Sequence, residues 1–435
     1  MKSIYIGLIG FGTVGAGVVK TLQMNGDIIA KRVGAEIRFK RIADLDLGRD
    51  RGVQVDRSIL TTNAEEILND PDINIVLELM GGYHPAREFI LKGIENGKNI
   101  VTANKALLAK HGDEIFAAVE KKGVCIGFEA SVGGGIPVIR AIKEGFAGDE
   151  ILSIRGIVNG TANFILSKMS DEGRDFKAAL KEAQRLGYAE ADPTFDIEGH
   201  DSAHKIAILA MLAFGTEIPI DKVYMEGISR ITSEDIAFAR QLGYRIKLLA
   251  IAKGCGDSLD IRVHPTMVQA SNPIANVNGA TNAIEIHGRA VGAALLVGEG
   301  AGALPTSSAV LGDVIEIARG ILCGAKNRLP ARSWLRENIQ KIPIRPMDEV
   351  ESECYLRFKA LDKPGVLSKI SGILGSHNIS ISSVIQKERH KGSGVPVVMT
   401  THSAVEKNIR KALEEIDKLD IIQKETFSLR LEDGK

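Results

Sequence analysis

A glycine-rich turn near the start of the chain restricts its fold more than any other feature. The sequence IYIGLIGFGTVGAGVVKTL places a G-x-G-x-x-G motif directly after an apolar strand and at the start of a helix. The first glycine makes the tight turn, the second lets the backbone approach a pyrophosphate, and the third lets helix and strand pack closely. The motif predicts a dinucleotide site at the helix N-terminus. Its loop residues are Gly10, Phe11, Gly12, Thr13, Val14 and Gly15.

The first 130 residues alternate apolar strands with helical stretches. The predicted strands are Ile4–Ile9, Ile37–Ala43, Ile75–Met80, Asn99–Thr102 and Val124–Phe128. Such alternation is typical of a Rossmann-type α/β domain with a doubly wound parallel sheet. We therefore assign residues 1–130 to dinucleotide binding.

The rest of the chain divides into three further parts. Residues 131–325 mix long helices with strands, which predicts an α+β domain, and residues 305–325 are expected to return and pack on the first domain. Residues 326–350 lose apolar periodicity and are rich in proline, which indicates a linker. Residues 351–430 follow the order strand, helix, strand, strand, helix, strand, which predicts a small βαββαβ domain.

Composition argues against several classes of protein. The formal net charge of the 435-residue chain is zero, so nothing favours nucleic acid or an anionic membrane as a partner. The apolar start is short and interrupted by glycines, unlike a signal peptide, and no stretch is long and apolar enough to cross a membrane. The four cysteines have no C-x-x-C spacing, as expected of a reduced, cytoplasmic protein without disulfides.

The end of the second predicted strand bears on coenzyme choice. Asp44 stands where an acidic residue would hold the ribose 2′-hydroxyl of NAD, whereas an arginine there would favour NADP. Arg49 and Arg51 follow closely and could meet a 2′-phosphate, or could belong to a solvated charged loop. The sequence leaves the choice between NAD and NADP open.

Further candidates lie after the later strands, at the edge of the sheet where ligands bind in such folds. Gly81 follows the third strand and Lys105 the fourth, both close to the expected nicotinamide end of the coenzyme. Glu129 begins the stretch EASVGGGIP, where a carboxylate and loop carbonyls could bind a cation, although a glycine hinge is the simpler interpretation.

The stretch RLGYAEADPTFDIEGHDSAHK concentrates ionisable groups before a buried helix. Asp201 and Lys205 are four residues apart and share one helix face, as do His200 and His204. A structural ion pair is the simpler interpretation, and an acidic pocket for an amino group, with Lys205 as proton donor, is the functional one. A zinc site is disfavoured, because no third ligand or second Cys/His cluster accompanies the histidines.

These segments together resemble the homoserine dehydrogenase family with a C-terminal ACT domain. The likeness rests on GLIGFGTVGAGVV, VTANKALLA, FEASVGGGIPVIR, GIVNGTANFIL, LGYAEADPTFDIEGHDSAHK and GAGALPTSSAV, and it covers nearly the whole chain. The resemblance implies reversible reduction of aspartate 4-semialdehyde to homoserine with NAD(P)H. It also implies that residues 131–325 bind the substrate and form the dimer interface.

The resemblance also implies roles for individual residues. Lys205 matches the family's acid/base lysine, although spacing does not decide between Lys105 and Lys205, and we favour Lys205. Asp201 accompanies it as a catalytic residue. Positions near the coenzyme are Asp44, Gly81, Lys105, Gly187 and Gly302. Substrate-contacting positions are Gly160, Thr161, Tyr188, Glu190, Asp196 and Asp201. A sodium site is implied at Glu129 and the carbonyls of Val132, Gly134 and Ile136.

Two positions depart from the family pattern. Ala43 replaces the Arg or Lys that many relatives carry before Asp44, which weakens an expectation of strict NADP use. His200 and His204 stand where relatives commonly have other residues, so we do not expect them to be essential.

The C-terminal domain is expected to regulate the enzyme or to join its subunits, and two rival functions are disfavoured. ACT domains pair and often bind amino acids, so the resemblance implies a homodimer or homotetramer and an effector such as threonine, or else a purely structural domain. An aldehyde dehydrogenase acting through a cysteine is disfavoured because Cys125 lies in an apolar run. A non-enzymatic sensor is disfavoured by the clustered ionisable groups.

Overall fold

The structure is a computed structural model that describes residues 2–325, 329–386 and 394–432. Residues 326–328 of the predicted linker and residues 387–393 of the predicted βαββαβ domain lie outside the described residues. The chain divides into two compact units. Unit 1 comprises residues 1–160, 201–223 and 281–342, and unit 2 comprises residues 161–200, 224–280 and 343–435.

The strands are numbered in chain order. They are β1 Lys2–Ile9, β2 Ala35–Ala43, β3 Leu60–Thr61, β4 Ile73–Glu78, β5 Asn99–Thr102, β6 Ile126–Gly127, β7 Ile151–Ile157, β8 Tyr224–Met225, β9 Tyr244–Cys255, β10 Ser258–Gln269, β11 Thr281–Gly288, β12 Gly292–Glu299, β13 Glu351–Ser352, β14 Cys354–Leu361, β15 Ile381–Gln386, β16 Gly394–Thr401, β17 Ala404–Val405 and β18 Ile422–Glu432.

The α-helices are numbered in the same way. They are α1 Thr13–Val33, α2 Glu65–Leu68, α3 Ala86–Glu95, α4 Lys105–Lys122, α5 Val138–Arg140, α6 Gly160–Glu172, α7 Phe176–Arg185, α8 Thr194–Ile197, α9 His200–Phe214, α10 Ser233–Gln241, α11 Ala303–Cys323, α12 Val366–Ser376 and α13 Glu406–Ile416. Among the described residues, no helix combines the length and apolar character needed to cross a bilayer.

Unit 1 contains a parallel sheet of six strands in the order β3-β2-β1-β4-β5-β6. This order is that of a Rossmann-type sheet and confirms the predicted fold class. The strand order reverses between β1 and β4, and the glycine loop follows β1 at that edge. A second, antiparallel group in unit 1 consists of β7, β11 and β12.

Helix α1 begins and ends for local chemical reasons. Gly12 is its N-cap, and Gly34 ends it in the left-handed conformation, with φ of 84° and its N–H donating to the carbonyl of Ala30. Lys31 and Arg32 occupy the last turn, where positive charge interacts favourably with the helix dipole. The buried face of α1 packs with β1 and with α11, which supplies Val310, Leu311, Val314, Ile317 and Ala318 to the same apolar core.

The segment after α11 is anchored within unit 1. The indole N–H of Trp334 donates to the carbonyl of Leu212 at 2.8 Å, and its ring lies against Gly215, whose φ is 60°. The buried guanidinium of Arg332 lies 2.9 Å from the carboxylate of Asp113. Arg332 and Trp334 of the predicted linker are therefore held by specific contacts within unit 1.

Unit 2 joins the βαββαβ domain to a long hairpin in one sheet. Strands β15, β16, β14 and β18 pair antiparallel in that order, with α12 and α13 packed on one apolar core, as the sequence predicts. The last part of β18 also pairs in parallel with β10, which forms a hairpin with β9. The backbone hydrogen bonds of β18 therefore fix the C-terminal domain to the rest of unit 2.

The crossing of α1 and α11 gives the first prediction. A Cβ atom at Gly17 would overlap the backbone carbonyl of Ala303, whereas a Cβ at Gly26 of the same helix meets no atom within 4 Å. We expect Gly17→Ala to destabilise the protein by about 1–3 kcal/mol through overpacking. Gly26→Ala is the matched control and should stabilise it by up to about 1 kcal/mol. Thermal melting measures both, and a Gly17→Ala variant that melts at or above the wild type contradicts the close crossing.

Candidate active site

The glycine loop of unit 1 has the geometry that a dinucleotide requires. Gly10 has φ of 99°, and a Cβ there would lie 2.7 Å from the carbonyl carbon of Leu79. A Cβ at Gly15 would overlap the carbonyl oxygen of Gly10. A Cβ at Gly12, by contrast, would meet no atom within 4 Å. Packing therefore requires the outer two glycines, and the open space at Gly12 fits a pyrophosphate at the N-terminus of α1.

Asp44 and Arg51 lie together beside this loop. One carboxylate oxygen of Asp44 accepts the N–H of Phe11 at 2.7 Å, and the other accepts the N–H of Asp46 at 2.9 Å. The guanidinium of Arg51 is 3.0 Å from Asp44, stacks over the Phe11 ring at 4.9 Å and donates to the Phe11 carbonyl. Asp44, the predicted partner of the NAD ribose, and Arg51, a candidate partner of the NADP 2′-phosphate, therefore form an ion pair with each other.

Glu78, which is not among the residues predicted from the sequence, organises the loop that contains Gly81. Its fully buried carboxylate accepts the hydroxyl of Thr102 at 2.7 Å and the N–H of Met80 at 2.9 Å. Burial raises the pKa of this carboxyl group. The available signal was an acidic residue at the end of an apolar strand, since such a buried charge needs partners.

Asn104 connects that loop to the helix that begins with Lys105. Its amide nitrogen donates to the carbonyl of Gly82 at 2.7 Å, and its amide oxygen accepts the N–H of Leu107 at 3.1 Å as the N-cap of α4. The cap fixes where the helix starts. Lys105 is therefore held in the first turn of α4, and one third of its side chain is exposed.

Two lysines meet one buried carboxylate in unit 1. The Lys205 ammonium is 2.7 Å from one oxygen of Asp201, and the Lys105 ammonium is 3.2 Å from the other. The amide of Asn159 donates to Asp201 at 2.8 Å, and Lys205 also donates to the carbonyl of Val158 at 2.6 Å. The sequence predicted the pair within α9, and the fold adds Lys105 and Asn159.

The charges of this cluster stabilise one another. Burial by itself raises the pKa of Asp201, but the positive charges of Lys205 and then Lys105 outweigh burial and hold it well below its usual range. Asp201 therefore remains a carboxylate at neutral pH. It neutralises part of the charge of two ammonium groups that would otherwise repel each other.

Unit 2 holds most of the predicted substrate positions. The hydroxyl of Thr161 donates to the carbonyl of Tyr188 at 2.5 Å, and the ring of Phe164 lies 4.8 Å from that of Tyr188. Glu190 is exposed and Asp196, in α8, is half-buried. The remaining predicted positions are glycines: Gly160 starts α6 in unit 1, Gly187 has φ of 78° in unit 2, and Gly302, with φ of 119°, is the N-cap of α11 in unit 1.

The predicted cation site is a buried carboxylate beside a glycine turn. One oxygen of Glu129 accepts the N–H of Ile139 and the other that of Arg140, both at 2.8 Å. Asp313 accepts the N–H of Glu129 at 2.9 Å, and burial together with the charge of Glu129 raises the pKa of Asp313 to about 7. The guanidinium of Arg140 lies 3.5 Å from Asp313 and supplies positive charge beside these carboxylates. A cation site at Glu129 and the carbonyls of Val132, Gly134 and Ile136 therefore stays a prediction.

The histidines of α9 differ in exposure. His200 is exposed and its ring lies 6.0 Å from that of Phe195, whereas His204 is half-buried. Within residues 2–325, 329–386 and 394–432, no group of three or more His, Cys, Asp or Glu side chains is arranged around a metal position.

Comparison with known proteins decides the family. Residues 10–129 match the NAD-binding domain of homoserine dehydrogenase, residues 137–315 match the homoserine dehydrogenase family model, and residues 355–420 match the ACT domain. The chain belongs to the homoserine dehydrogenase family. Its activity is therefore the reversible, NAD(P)-dependent reduction of aspartate 4-semialdehyde to homoserine.

Individual relatives agree with this assignment. The chain is 46% identical to the homoserine dehydrogenase of Neisseria gonorrhoeae and 45% identical to that of Pseudomonas aeruginosa, over 99% of each chain. The solved homoserine dehydrogenase from Thiobacillus denitrificans superposes with a TM-score of 0.94 at 47% identity, covering 100% of this chain and 99% of that one. These findings confirm the resemblance identified from the motifs.

The low pKa of Asp201 gives a prediction about pH. The stabilisation that depends on this carboxylate is fully present above its unfolded pKa near 3.8 and is lost as the pH falls further. We expect Asp201→Asn to be less stable than the wild type by about 3 kcal/mol at pH 7. The difference should shrink by about 1 kcal/mol at pH 3. Thermal melting at both pH values measures it, and an unchanged difference contradicts the assignment.

Proposed function

We propose that Lys205 is the proton donor of the homoserine dehydrogenase reaction and that Asp201 holds it in place. The observation that carries the proposal is the convergence of Lys205 and Lys105 on the buried carboxylate of Asp201. An ammonium group fixed by Asp201 and by the Val158 carbonyl is held in one direction, as proton transfer requires. A purely structural ion pair would not need a second lysine on the same carboxylate.

The reaction divides between coenzyme and protein. Reduced nicotinamide, when bound, supplies the hydride to the aldehyde carbon. Lys205 gives its proton to the carbonyl oxygen, which becomes the hydroxyl of homoserine, and accepts a proton from that hydroxyl in the reverse direction. Asp201 holds the ammonium group of Lys205 through a hydrogen bond of 2.7 Å. Glu190 and Asp201 would bind the substrate ammonium, and Gly160, Thr161, Tyr188 and Asp196 would contact the substrate as the family resemblance implies.

Lys105 is the alternative proton donor, and paired variants distinguish the two lysines. We expect Lys205→Ala to lower kcat by about two powers of ten or more, the usual size of an acid–base contribution, while the affinity for NADPH stays unchanged. Steady-state kinetics and NADPH fluorescence titration measure both quantities. Near-normal turnover of Lys205→Ala, with a large loss in Lys105→Ala, would transfer the role to Lys105.

The chain is proposed to accept both NAD and NADP. Asp44 at the end of β2 suits a ribose 2′-hydroxyl, and Arg51, 3.0 Å from it, offers a charge for a 2′-phosphate. Gly81, Lys105, Gly187 and Gly302 would lie near the remainder of the coenzyme, as the family resemblance implies.

The arginine can be tested directly. Arg51→Ala should lower kcat/KM with NADPH by about tenfold or more, because a charged hydrogen bond contributes about 1.5–3 kcal/mol, and should change the value with NADH by less than about threefold. Arg49 is exposed, and Arg49→Ala tests in the same assay whether the loss with NADPH is specific to Arg51. Equal losses with both coenzymes for Arg51→Ala would contradict this role.

Four further features are proposed with this function. Glu129, with the carbonyls of Val132, Gly134 and Ile136, would bind a structural sodium ion. The ACT domain would bind an amino-acid effector such as threonine, and the enzyme would be a homodimer or homotetramer. The location of the enzyme is proposed to be cytoplasmic.

A further inference from the structure

The segment that carries the proposed substrate carboxylates is held at both ends by contacts within unit 2. We call residues 188–199 the acid loop, since it includes Glu190 and Asp196. Thr161 and Phe164 of α6 contact its first residue, Tyr188. A loop of this kind needs such anchors, because an exposed carboxylate binds a ligand well only when its position is already fixed.

The other end of the acid loop packs on residues 226–228. The N–H of Ile228 donates to the carbonyl of Ile197 at 2.9 Å. A Cβ at Gly227 would lie 2.7 Å from that carbonyl oxygen and would overlap the carboxylate of Glu198. The two segments therefore touch through their backbones, and a shift of residues 226–228 must move the end of the acid loop that follows Asp196.

Residues 226–228 are in turn held by β10 and by the ACT domain. The N–H of Glu226 donates to the carbonyl of Val263 in β10 at 2.8 Å, and its carboxylate accepts a bond from the Arg430 guanidinium at 2.6 Å. The hydroxyl of Tyr224 donates to the same carboxylate at 3.1 Å. Arg430 lies in β18, the last strand of the ACT domain.

Arg430 is rigidly placed for this contact. Its Cα pairs with that of Thr266 in the parallel ladder of β10 and β18. Its other guanidinium nitrogens bind Glu406 at the start of α13, and only 8% of its side chain is exposed. Burial by itself lowers the pKa of Arg430, but the carboxylates of Glu406 and Glu226 outweigh burial and raise it. The strand pairing with Thr266 and the ion pair with Glu406 therefore fix the guanidinium that holds Glu226.

We propose that Glu226 and Arg430 are positioning residues, which set the geometry of the acid loop and thereby the affinity for the amino-acid substrate. The inference rests on the proposed substrate role of that loop. It gives the ACT domain a part in the reaction that requires no effector: the contact of its last strand with Glu226 completes the support of the substrate-binding segment.

The decisive variant is Glu226→Ala in the full-length enzyme. Replacing Arg430 would remove the guanidinium from two partly buried carboxylates, Glu226 and Glu406, whereas Glu226→Ala leaves the pair of Arg430 and Glu406 intact. We expect the KM for homoserine to rise about tenfold, the effect of losing one charged hydrogen bond, while kcat and the KM for the coenzyme change by less than about threefold. Glu226→Gln retains an acceptor and should stay within about threefold of wild type.

Steady-state kinetics separates this role from simple destabilisation. A loss of folded enzyme lowers the apparent kcat without changing KM, so an unchanged KM in Glu226→Ala overturns the proposal. Arg410→Ala is the matched control, since it removes an exposed ion pair with Asp348 from the same ACT domain, and it should leave KM unchanged.

Asp196→Asn in the same assay distinguishes the substrate role of the acid loop from the positioning role of Glu226 and Arg430. If Asp196→Asn raises the KM for homoserine and Glu226→Ala does not, the positioning role is wrong and the substrate role stands. If Asp196→Asn also leaves KM unchanged, the substrate role of the acid loop is wrong, and the positioning role fails with it.

Discussion

A buried carboxylate between two ammonium groups is the interaction on which the catalytic part of this enzyme depends. Asp201 is almost inaccessible to solvent, and a charge in such a place is very unfavourable unless partners surround it. Lys205, Lys105 and Asn159 provide those partners from three separate segments of unit 1. The same requirement that stabilises the carboxylate therefore brings Lys205, the proposed proton donor, to one point with Lys105 and Asn159.

The ACT domain follows a related principle in unit 2. Its last strand continues the sheet of the β9–β10 hairpin, and Arg430 joins carboxylates from both parts, Glu226 and Glu406. Strand pairing and the buried charge of Arg430 therefore fix the ACT domain to the rest of unit 2. We infer that a displacement of this last strand would reach the segment that contains Asp196, because closely packed backbones transmit displacement.

Much of the fold could be predicted because its signals are local. The G-x-G-x-x-G loop, the alternation of strands and helices, and the order of elements after residue 351 each depend on neighbouring residues only. The same holds for Asp201 and Lys205, which share a helix face by spacing. Glu78 was missed although its position at a strand end was informative. Arg430 left no usable signal, because its partner Glu226 is 204 residues away in the chain.

The sequence by itself determined the family, the parallel sheet, the coenzyme loop and the i, i+4 pair on α9, since each is encoded within a few turns or strands. Only the tertiary structure decided that Lys105 joins Asp201, that Asp44 pairs with Arg51, and that the last strand of the ACT domain supports residues 226–228. The physical reason is distance along the chain: a charge chooses its partner after packing has excluded water, and spacing along the sequence does not reveal which distant segment packing will bring there.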